Sequence, residues 1–535
     1  MAARTLMVQG CTSWAGKSLL TTVLCRWLSN MGVDVAPFKA QNMANNARVV
    51  AGGEIGVAQW LQARAARVEP HVDHNPVLLK PEADTRSQVV VHGRVRPDLT
   101  EMPWKRRGPH LRPAIEESLG RLRAAHDVVV IEGAGSPAEI NLPDVVNRGV
   151  AQWADAAVLL VADIDRGGAF AHLYGTWALL DERDRSRIAG FVLNRFRGDA
   201  ALLSPGPELL KARTGVPTLG VVPMVGHRLP DEDGARAWPA PEAARGDAGS
   251  TRVPRVAIVR GPAASNLDEF AAVAAVAEVV WATRPGDLVG ADLVVLPGSK
   301  HVAADRAWLA ATGLDAAVVR MARGGVRVLG ICGGAMLLGS RVEDPTGVEG
   351  GVATSADGLD LLDLATTLHP DKVVAPIALD AVGGSPEPWR GLATGIGVGT
   401  PAYEIRHGRL TVTGPRAIPL VVRQMAADAP DAADAVVADG PAGAADPAGV
   451  AGPAGVAGAA GVAAGLDRAR ASVHGWAHDN VAAVTVHGLL ESPRVVAALL
   501  EVPPPPSLDD VVDDLAAQVV PHLDTAAIMD LVGIA

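Results

Sequence analysis

The chain has 535 residues, of which 49% are hydrophobic and 20% are charged, and its formal net charge is -11 at pH 7. This length predicts two or more domains, and the acidic balance argues against nucleic acid as a partner. Three cysteines without zinc-type spacing exclude a disulfide framework and favour a reducing, cytoplasmic compartment. We find no apolar run long enough to cross a membrane and no signal-peptide pattern at the start.

The first part of the chain, residues 1–228, alternates short apolar runs with helical stretches. Continuous apolar runs of this length are typical of strands that are buried on both faces. The predicted strands cover residues 6–10, 33–37, 127–131, 156–161 and 188–193. The pattern therefore predicts an α/β domain with a parallel sheet, whose first helix covers residues 17–31.

A glycine-rich loop lies between the first predicted strand and the first predicted helix. It reads Gly-Cys-Thr-Ser-Trp-Ala-Gly-Lys-Ser, and backbone N–H groups of such loops bind phosphate oxygens. Lys17 would reach the outer phosphates, and the Ser18 hydroxyl would bind Mg²⁺. The glycine spacing is one residue longer than the standard loop, as in the dethiobiotin-synthetase-like branch. The predicted ATP-binding residues of the loop are Gly10, Thr12, Ser13, Gly16, Lys17 and Ser18.

Acidic residues follow two later strands of the same predicted sheet. Glu132 comes directly after the strand at 127–131, at the sheet edge where nucleotides bind, and we predict that it is the second Mg²⁺ ligand. Asp163 and Asp165 follow the next strand. We expect one of them to serve the metal or an acidic substrate and the other to cap the following helix.

A second α/β domain is predicted after a linker. Residues 229–253 are rich in Pro, Ala, Gly, Asp and Arg, which is typical of a linker, and the second domain would cover residues 254–506. Residues 426–465 form a low-complexity insert that predicts a flexible surface segment. Residues 507–535 predict an amphipathic helical tail that packs on the second domain. The strands predicted for this domain cover residues 255–259, 292–296, 326–330 and 483–486.

A cysteine between two glycine-containing segments is the main chemical feature of the second domain. Cys332 lies in Gly-Ile-Cys-Gly-Gly, after a predicted strand and before the helical stretch 335–338. This order is typical of a nucleophile on a sharp strand–turn–helix elbow, and the nearby helix N-terminus favours the thiolate. We predict that the N–H of Gly333 and the segment around Gly298 form an oxyanion hole.

A cysteine nucleophile needs a base, and the sequence offers several histidines. His487 ends a late strand, and we prefer it for this reason. His407 and His474 remain the competing candidates.

With these motifs and several further sequence segments, the chain resembles the adenosylcobyric acid synthase family, that is, the glutamine-hydrolysing cobyric acid synthases. The resemblance covers nearly the whole chain outside residues 426–465. Besides the phosphate loop and the cysteine elbow, it depends on residues 37–43, 53–56, 70–73, 75–81, 87–89, 131–142, 162–168, 196–199, 403–405 and 486–489.

The resemblance implies a fold, a reaction and further site residues. The fold would be a dethiobiotin-synthetase-like P-loop domain followed by a class I glutamine amidotransferase-like domain. ATP and Mg²⁺ would serve to activate carboxylates of adenosylcobyrinic acid a,c-diamide as acyl phosphates, and ammonia from glutamine would amidate the b, d, e and g arms. Asn194 matches a position near the adenine, and Lys39, Gln41 and Asn42 are candidates for substrate binding or activation.

The sequence departs from the family pattern at three positions. Trp14 stands where the family has a small or acidic polar residue, and Arg195 replaces a lysine. Leu489 stands two residues after His487, where related class I glutaminases have an acid. We therefore expect a Cys–His dyad without a third member, and a slow glutaminase.

Three other interpretations remain open at this point, as does a homo-oligomeric state. Cobyrinic acid a,c-diamide synthase has the same two modules, although residues 41–43 and 71–73 favour the cobyric acid branch. A ParA/MinD-like ATPase switch would have an additional early lysine in the phosphate loop and no use for Cys332. A non-catalytic binding module is disfavoured because Lys17, Ser18 and Glu132 are intact.

Overall fold

The computed structural model describes residues 3–83, 86–141, 144–227, 229, 252–424 and 471–534. The chain divides into two compact units, Met1–Gly234 together with Ser507–Ala535, and Ala235–Pro506. Most of the predicted linker 229–253 and the whole predicted insert 426–465 lie outside the described residues. None of the helices in the described ranges is long and apolar enough to span a membrane.

The first unit contains a six-stranded parallel sheet with the strand order β12-β11-β10-β1-β9-β2. A four-stranded sheet, β3-β6-β7-β8, and the hairpin β4-β5 are formed by the part of the chain between β2 and β9. The strands are β1 Arg4–Gly10, β2 Val35–Phe38, β3 Gln41–Met43, β4 Ala47–Val50, β5 Gly53–Gly56, β6 Val77–Ala83, β7 Arg86–Val91, β8 Arg94–Val95, β9 Val128–Glu132, β10 Ala157–Asp163, β11 Ile188–Phe196 and β12 Thr218–Pro223.

The second unit contains an eleven-stranded mixed sheet. Its parallel part has the order β15-β13-β16-β18-β25, and from β24 onward the pairs are antiparallel except for the parallel pair of β19 and β21. A separate antiparallel pair, β14-β17, completes the strands of this unit. The strands of the unit are β13 Arg255–Val259, β14 Ala264–Ser265, β15 Glu278–Ala282, β16 Leu293–Leu296, β17 Gly298–Ser299, β18 Arg327–Ile331, β19 Arg341–Asp344, β20 Thr354–Asp357, β21 Leu364–Ala381, β22 Thr400–Val412, β23 Ile418–Gln424, β24 Ala471–His478 and β25 Val481–Val484.

The helices cover the sheets of their own unit. In the first unit they are α1 Lys17–Asn30, α2 Val57–Ala65, α3 Pro97–Glu101, α4 Trp104–Ala125, α5 Arg148–Ala154, α6 Ala169–Leu179, α7 Glu182–Arg185 and α8 Gly206–Thr214. In the second unit they are α9 Ala271–Val276, α10 Val302–Thr312, α11 Leu314–Arg323, α12 Gly333–Leu338, α13 Arg390–Ile396 and α14 Pro493–Leu500. The C-terminal helices are α15 Leu508–Val519 and α16 Thr525–Leu531.

The prediction that the tail packs on the second domain is wrong, because α15 and α16 belong to the first unit. Residues 512, 515, 516 and 519 form one buried stripe of α15 and share a hydrophobic cluster with α1. The buried Arg26 of α1 forms an ion pair with Asp509. The amphipathic pattern predicted the helix correctly, but such a pattern does not specify which surface will cover the apolar face.

The sheet edges place the candidate residues at the carboxyl ends of parallel strands. In the first unit, β1 leads into the phosphate loop and β9 ends at Glu132. In the second unit, β18 ends at Ile331, directly before Cys332. Ligands of parallel α/β folds bind at this edge of the sheet, so both groups of candidate residues lie at the usual position of a ligand-binding site.

Candidate active sites

The phosphate loop is held closed by contacts within the first unit. The Lys17 ammonium donates to the carbonyl oxygens of Thr12 and Gly135 at 3.3 and 3.2 Å. The Asn194 carboxamide donates to the Ala15 carbonyl at 2.9 Å. Gly16 has a φ of 104°, and a side chain there would collide with Asn194. Asn194, expected near an adenine, thus anchors the loop in this structure.

The chemistry of Ser18 and Glu132 fits a divalent cation. The Ser18 hydroxyl donates to Glu132 Oε1 at 2.7 Å. Adjacent oxygen ligands of Mg²⁺ stand about 3 Å apart, so this pair has the separation of two neighbouring ligands. No cluster of three or more His, Cys, Asp or Glu side chains suited to a metal occurs in the described ranges. A cation here would therefore be completed by phosphate and water oxygens.

Glu132 is buried among groups that favour its charged form. Lys39 Nζ lies 3.0 Å from its Oε1, and Gln62 donates to its Oε2. Burial alone would raise the pKa of Glu132, but Lys39, Ser18 and Gln62 together hold that pKa below its ordinary value. Lys39, predicted as a candidate for substrate binding, therefore lies at the predicted cation site.

Asp163, the last residue of β10, and Asp165, two residues later, are both paired with arginines. Arg195 donates to Asp163 at 2.9 Å, and Arg197 donates to Asp165 at 2.8 Å. The expectation that one of them caps the next helix is wrong, because Gly168 occupies the N-cap of α6 and no side chain caps it. Gly167 and Gly168 both adopt the left-handed conformation before α6, so the two aspartates lie too early in the chain to occupy its capping position.

The remaining candidates of the first unit lie on β3 and in the loop. Asn42 is buried, and its Oδ1 accepts from the N–H of Met43 at 3.0 Å, whereas Gln41 is half-buried. Trp14 has a φ of 65° and a side chain that is 52% exposed. The indole is therefore presented to solvent from the phosphate loop.

Cys332 lies on a strained elbow in the second unit. Its φ of 51° and ψ of -107° are unusual for a residue with a side chain, and its N–H is held by the carbonyl of Val484 at 2.8 Å. Glycines flank it because there is no space for side chains: a Cβ on Gly334 would lie 1.9 Å from the Leu296 carbonyl oxygen. This is the geometry of a nucleophile elbow.

The segment predicted to form an oxyanion hole lies beside the elbow. A Cβ on Gly333 would lie 2.6 Å from the backbone nitrogen of Ser299. A Cβ on Gly298 would lie 2.7 Å from His487 Cε1. Gly298, Gly333 and His487 are thus brought together, and Ser299, which belongs to the predicted segment around Gly298, has its backbone nitrogen next to Gly333.

His487 has an acidic partner that the sequence prediction missed. Its Nδ1 lies 3.1 Å from Glu269 Oε1, and Glu269 Oε2 accepts from the N–H of Gly488 at 3.2 Å. Burial alone would lower the pKa of His487, but the charges of Glu269 and Cys332 raise that pKa to about 10. The expectation of a dyad is therefore wrong: the acid comes from a position 218 residues earlier in the chain.

The imidazole is also fixed by its neighbours on β22. Tyr403 stacks on the His487 ring with centroids 5.5 Å apart, and the two residues exchange backbone hydrogen bonds. Asn266 donates to the Tyr403 hydroxyl at 2.9 Å. The competing histidines form other hydrogen bonds. His407 bonds to the His369 carbonyl, and His474 bonds to the side chains of Ser472 and Thr485.

The sequence contained only weak signals for the missed residues. Glu269 lies in a short 3-10 turn, Leu267–Phe270, whose apolar ends are buried in the core. A turn with two adjacent acids is usually a solvated segment, so nothing local marks Glu269 as a partner of His487. Tyr403 belongs to a block of the family resemblance, but its stacking partner was not predictable.

Comparisons with known proteins agree with both halves of this description. Residues 6–228 match the CobQ/CobB/MinD/ParA nucleotide binding domain. Residues 255–444 match the CobB/CobQ-like glutamine amidotransferase domain. The fold class predicted from the sequence is therefore confirmed, and the chain is a glutamine amidotransferase joined to a nucleotide-binding domain.

Relatives that match most of the chain identify the family within this class. The cobyric acid synthase of Polaromonas sp. (strain JS666 / ATCC BAA-500) is 46% identical over 99% of this chain and 98% of its own. That of Paracidovorax citrulli is 56% identical over 76% and 83%, and that of Deinococcus radiodurans is 55% identical over 76% and 85%. The chain belongs to the cobyric acid synthase family and is a glutamine-hydrolysing ligase.

Proposed function

We propose that this enzyme uses ATP and glutamine to convert the b, d, e and g side-chain carboxylates of adenosylcobyrinic acid a,c-diamide into carboxamides. The observation that carries the proposal is the pairing of two sites in a member of this family. One is Cys332 with His487 and Glu269, and the other is the phosphate loop with Ser18 hydrogen-bonded to Glu132. A carboxylate is a poor acyl donor and ammonia is mostly protonated in water, so the reaction needs both sites.

The second unit would release ammonia from glutamine. The Cys332 thiolate attacks the carboxamide carbon, and the C–N bond breaks as the His487 imidazolium gives its proton to the leaving nitrogen. Water then cleaves the thioester, with His487 taking a proton, and glutamate leaves. The N–H groups of Gly333 and of the segment Gly298–Ser299 supply hydrogen bonds to the oxyanion. Glu269 keeps Nδ1 protonated, which leaves Nε2 for the hydrogen bond with Cys332.

The first unit would activate the corrinoid carboxylate. An oxygen of the carboxylate attacks the γ-phosphorus of ATP, which gives an acyl phosphate and ADP, and ammonia then displaces inorganic phosphate. Lys17 and the N-terminus of α1 supply positive charge to the phosphates. A divalent cation held by Ser18 and Glu132 would neutralise phosphate charge in the same site.

Mass spectrometry of the corrinoid product tests this proposal. With ATP, Mg²⁺ and glutamine, the a,c-diamide should lose about one mass unit at each of its amidated carboxylates, because NH₂ replaces OH. The proposal predicts stepwise conversion of the b, d, e and g arms. If the a,c-diamide stays unchanged while cobyrinic acid gains amides at a and c, the enzyme is instead a cobyrinic acid a,c-diamide synthase.

A further inference from the structure

Two buried glutamines contact the carboxylate that we assign to cation binding. Gln59 and Gln62 lie three positions apart on α2, so their side chains leave the same face of the helix. Gln62 Nε2 donates to Glu132 Oε2, and Gln59 Nε2 lies 3.5 Å from the same oxygen. The other oxygen of Glu132 faces Ser18 and Lys39. The two oxygens of one carboxylate are therefore used differently.

The orientation of the Gln62 carboxamide follows from the charge of Glu132. Glu132 forms a buried ion pair with Lys39 at 3.0 Å, and an ionised carboxylate only accepts hydrogen bonds. The NH₂ group of Gln62 must therefore face it. This arrangement turns the carbonyl oxygen of each glutamine away from Glu132.

Both carbonyl oxygens lack a partner. Gln59 Oε1 and Gln62 Oε1 accept no hydrogen bond from any described residue, and both side chains are fully buried. Unpaired buried acceptors are rare because burial removes their hydrogen bonds to water. Each glutamine thus directs its NH₂ group at Glu132, while its carbonyl oxygen is buried without a hydrogen-bond donor among the described residues.

A purely structural role does not explain this arrangement. The Lys39 ammonium already neutralises the Glu132 carboxylate at 3.0 Å. Apolar side chains of similar volume would fill the same space without leaving acceptors unpaired. The NH₂ groups of both glutamines face Oε2 of a carboxylate whose other oxygen lies 2.7 Å from the Ser18 hydroxyl, a separation that suits neighbouring ligands of one cation. Groups that orient a ligand carboxylate in this way belong to the outer shell of a metal site, because they fix the direction of the ligand oxygen.

We propose that Gln59 and Gln62 are positioning residues for divalent-cation binding at Ser18 and Glu132. They fix Glu132 through Oε2, so that Oε1 faces the Ser18 hydroxyl. The inference rests on the proposed ATP site. It assigns to α2 a function that the phosphate-loop motif does not contain.

Direct binding of Mn²⁺ to the full chain in the presence of ADP tests the inference. Electron paramagnetic resonance gives the Kd of Mn²⁺, and calorimetry with a chelator gives the Kd of ADP alone. Loss of a group that orients a metal ligand weakens metal affinity about 10- to 100-fold. We expect Gln62→Met to raise the Kd of Mn²⁺ at least about tenfold on that basis, with the metal-free Kd of ADP unchanged. Gln518→Met, an exposed glutamine of α15, is the matched control.

The outcomes separate the inference from the proposed function. A Kd for Mn²⁺ within twofold of wild type in a Gln62→Met protein of normal melting temperature overturns the inference. A merely structural role would lower the melting temperature and leave the Kd of the folded protein unchanged. If Gln62→Met does not fold, the Kd of Mn²⁺ for Gln59→Met tests the inference in its place. Gln59 makes the longer contact with Glu132, so its loss should destabilise the fold less. A wild-type chain that retains no Mn²⁺ with ADP would instead refute the proposed ATP site.

Discussion

Glu269 Oε1 lies 3.1 Å from Nδ1 of His487, and both side chains are 1% exposed. The carboxylate also accepts from the N–H of Gly488, so neither of its oxygens is free to turn away. A buried carboxylate in this position sets the tautomer of the imidazole and stabilises the imidazolium. The carboxylate partner of this histidine thus comes from a distant turn, whereas in related class I glutaminases it comes from the residue two positions after the histidine.

Replacing Glu269 with glutamine should slow the glutaminase. Glu269→Gln removes the charge that raises the pKa of His487, so less imidazolium is present to stabilise the thiolate and to protonate the leaving nitrogen of glutamine. We expect the glutamine-dependent kcat to fall about 10²-fold, which is typical for the loss of acid–base assistance. Alkylation of Cys332 by iodoacetamide at neutral pH should slow as well. Glu278→Gln, in an exposed ion pair of the same unit, should keep wild-type rates for both reactions.

Replacing Cys332 with serine should separate the two nitrogen donors. Cys332→Ser leaves the elbow intact but lacks a thiolate, so amidation with glutamine should fall below detection. Amidation with free ammonium should continue, because the first unit is unchanged. Parallel product assays with the two donors measure this. Equal loss with both donors would contradict the division of labour between the units.

Replacing Lys17 with alanine should stop amidation with either donor. The Lys17 ammonium lies inside the closed phosphate loop and has no substitute in the motif. ADP release and product mass measure the effect. Lys211→Ala, an exposed lysine on α8, is the matched control and should behave as wild type. Substantial ATP turnover by Lys17→Ala would assign nucleotide handling to another part of the chain.

The C-terminal helix should stabilise the first unit. Leu515 of α15 is buried in the cluster that contains α1, and a large-to-small change at such a site costs about 2–5 kcal/mol. We expect Leu515→Ala to lower the urea midpoint of the first unit. Gln518→Ala, on the exposed side of the same helix, should leave the midpoint near wild type. Identical midpoints for the two variants would show that α15 contributes no packing energy.

The buried pair of Glu404 and Arg406 should make stability sensitive to acid. Burial alone would raise the pKa of Glu404, but His474 and Arg406 lower it from 4.5 to about 2. A lowered pKa means that the stabilisation is fully present above about pH 4.5 and is lost as the pH falls toward 2. Glu404→Gln should cost about 3 kcal/mol at pH 7, because it leaves the buried Arg406 without a negatively charged partner, and much less near pH 2.

Unfolding in urea at several pH values measures this difference. Glu343→Gln is the matched control, because Glu343 forms an exposed ion pair with Arg341 that should contribute little. A cost for Glu404→Gln that does not change between neutral and acidic pH would contradict the assigned charge state.

The predictions from sequence were most accurate where neighbouring residues determine the structure. The strand at 255–259 was predicted with its observed ends, and the phosphate loop and its helix were located within a residue. The elbow at Cys332 was predictable because its glycines, strand and helix are contiguous. Each of these features depends on local backbone preferences, which a short pattern records.

The relationships that the sequence did not predict join residues far apart in the chain. Glu269 and His487 are 218 positions apart, and Gln62 and Glu132 are 70 apart. The tail follows the second unit in the sequence, and its Asp509 pairs with Arg26, which lies 483 positions earlier. Such contacts depend on which buried surfaces complement each other, and no local pattern specifies that choice.

By itself the sequence determined the kinds of chemistry: a phosphate loop after a strand, a cysteine on an elbow, and a family whose blocks run in a fixed order. Only the tertiary structure decided the acid beside His487, the glutamines behind Glu132, and the unit on which the C-terminal helices pack. The reason is physical, because a motif needs only neighbouring torsion angles and side chains. A buried partner requires two distant segments to meet with matching charge and shape.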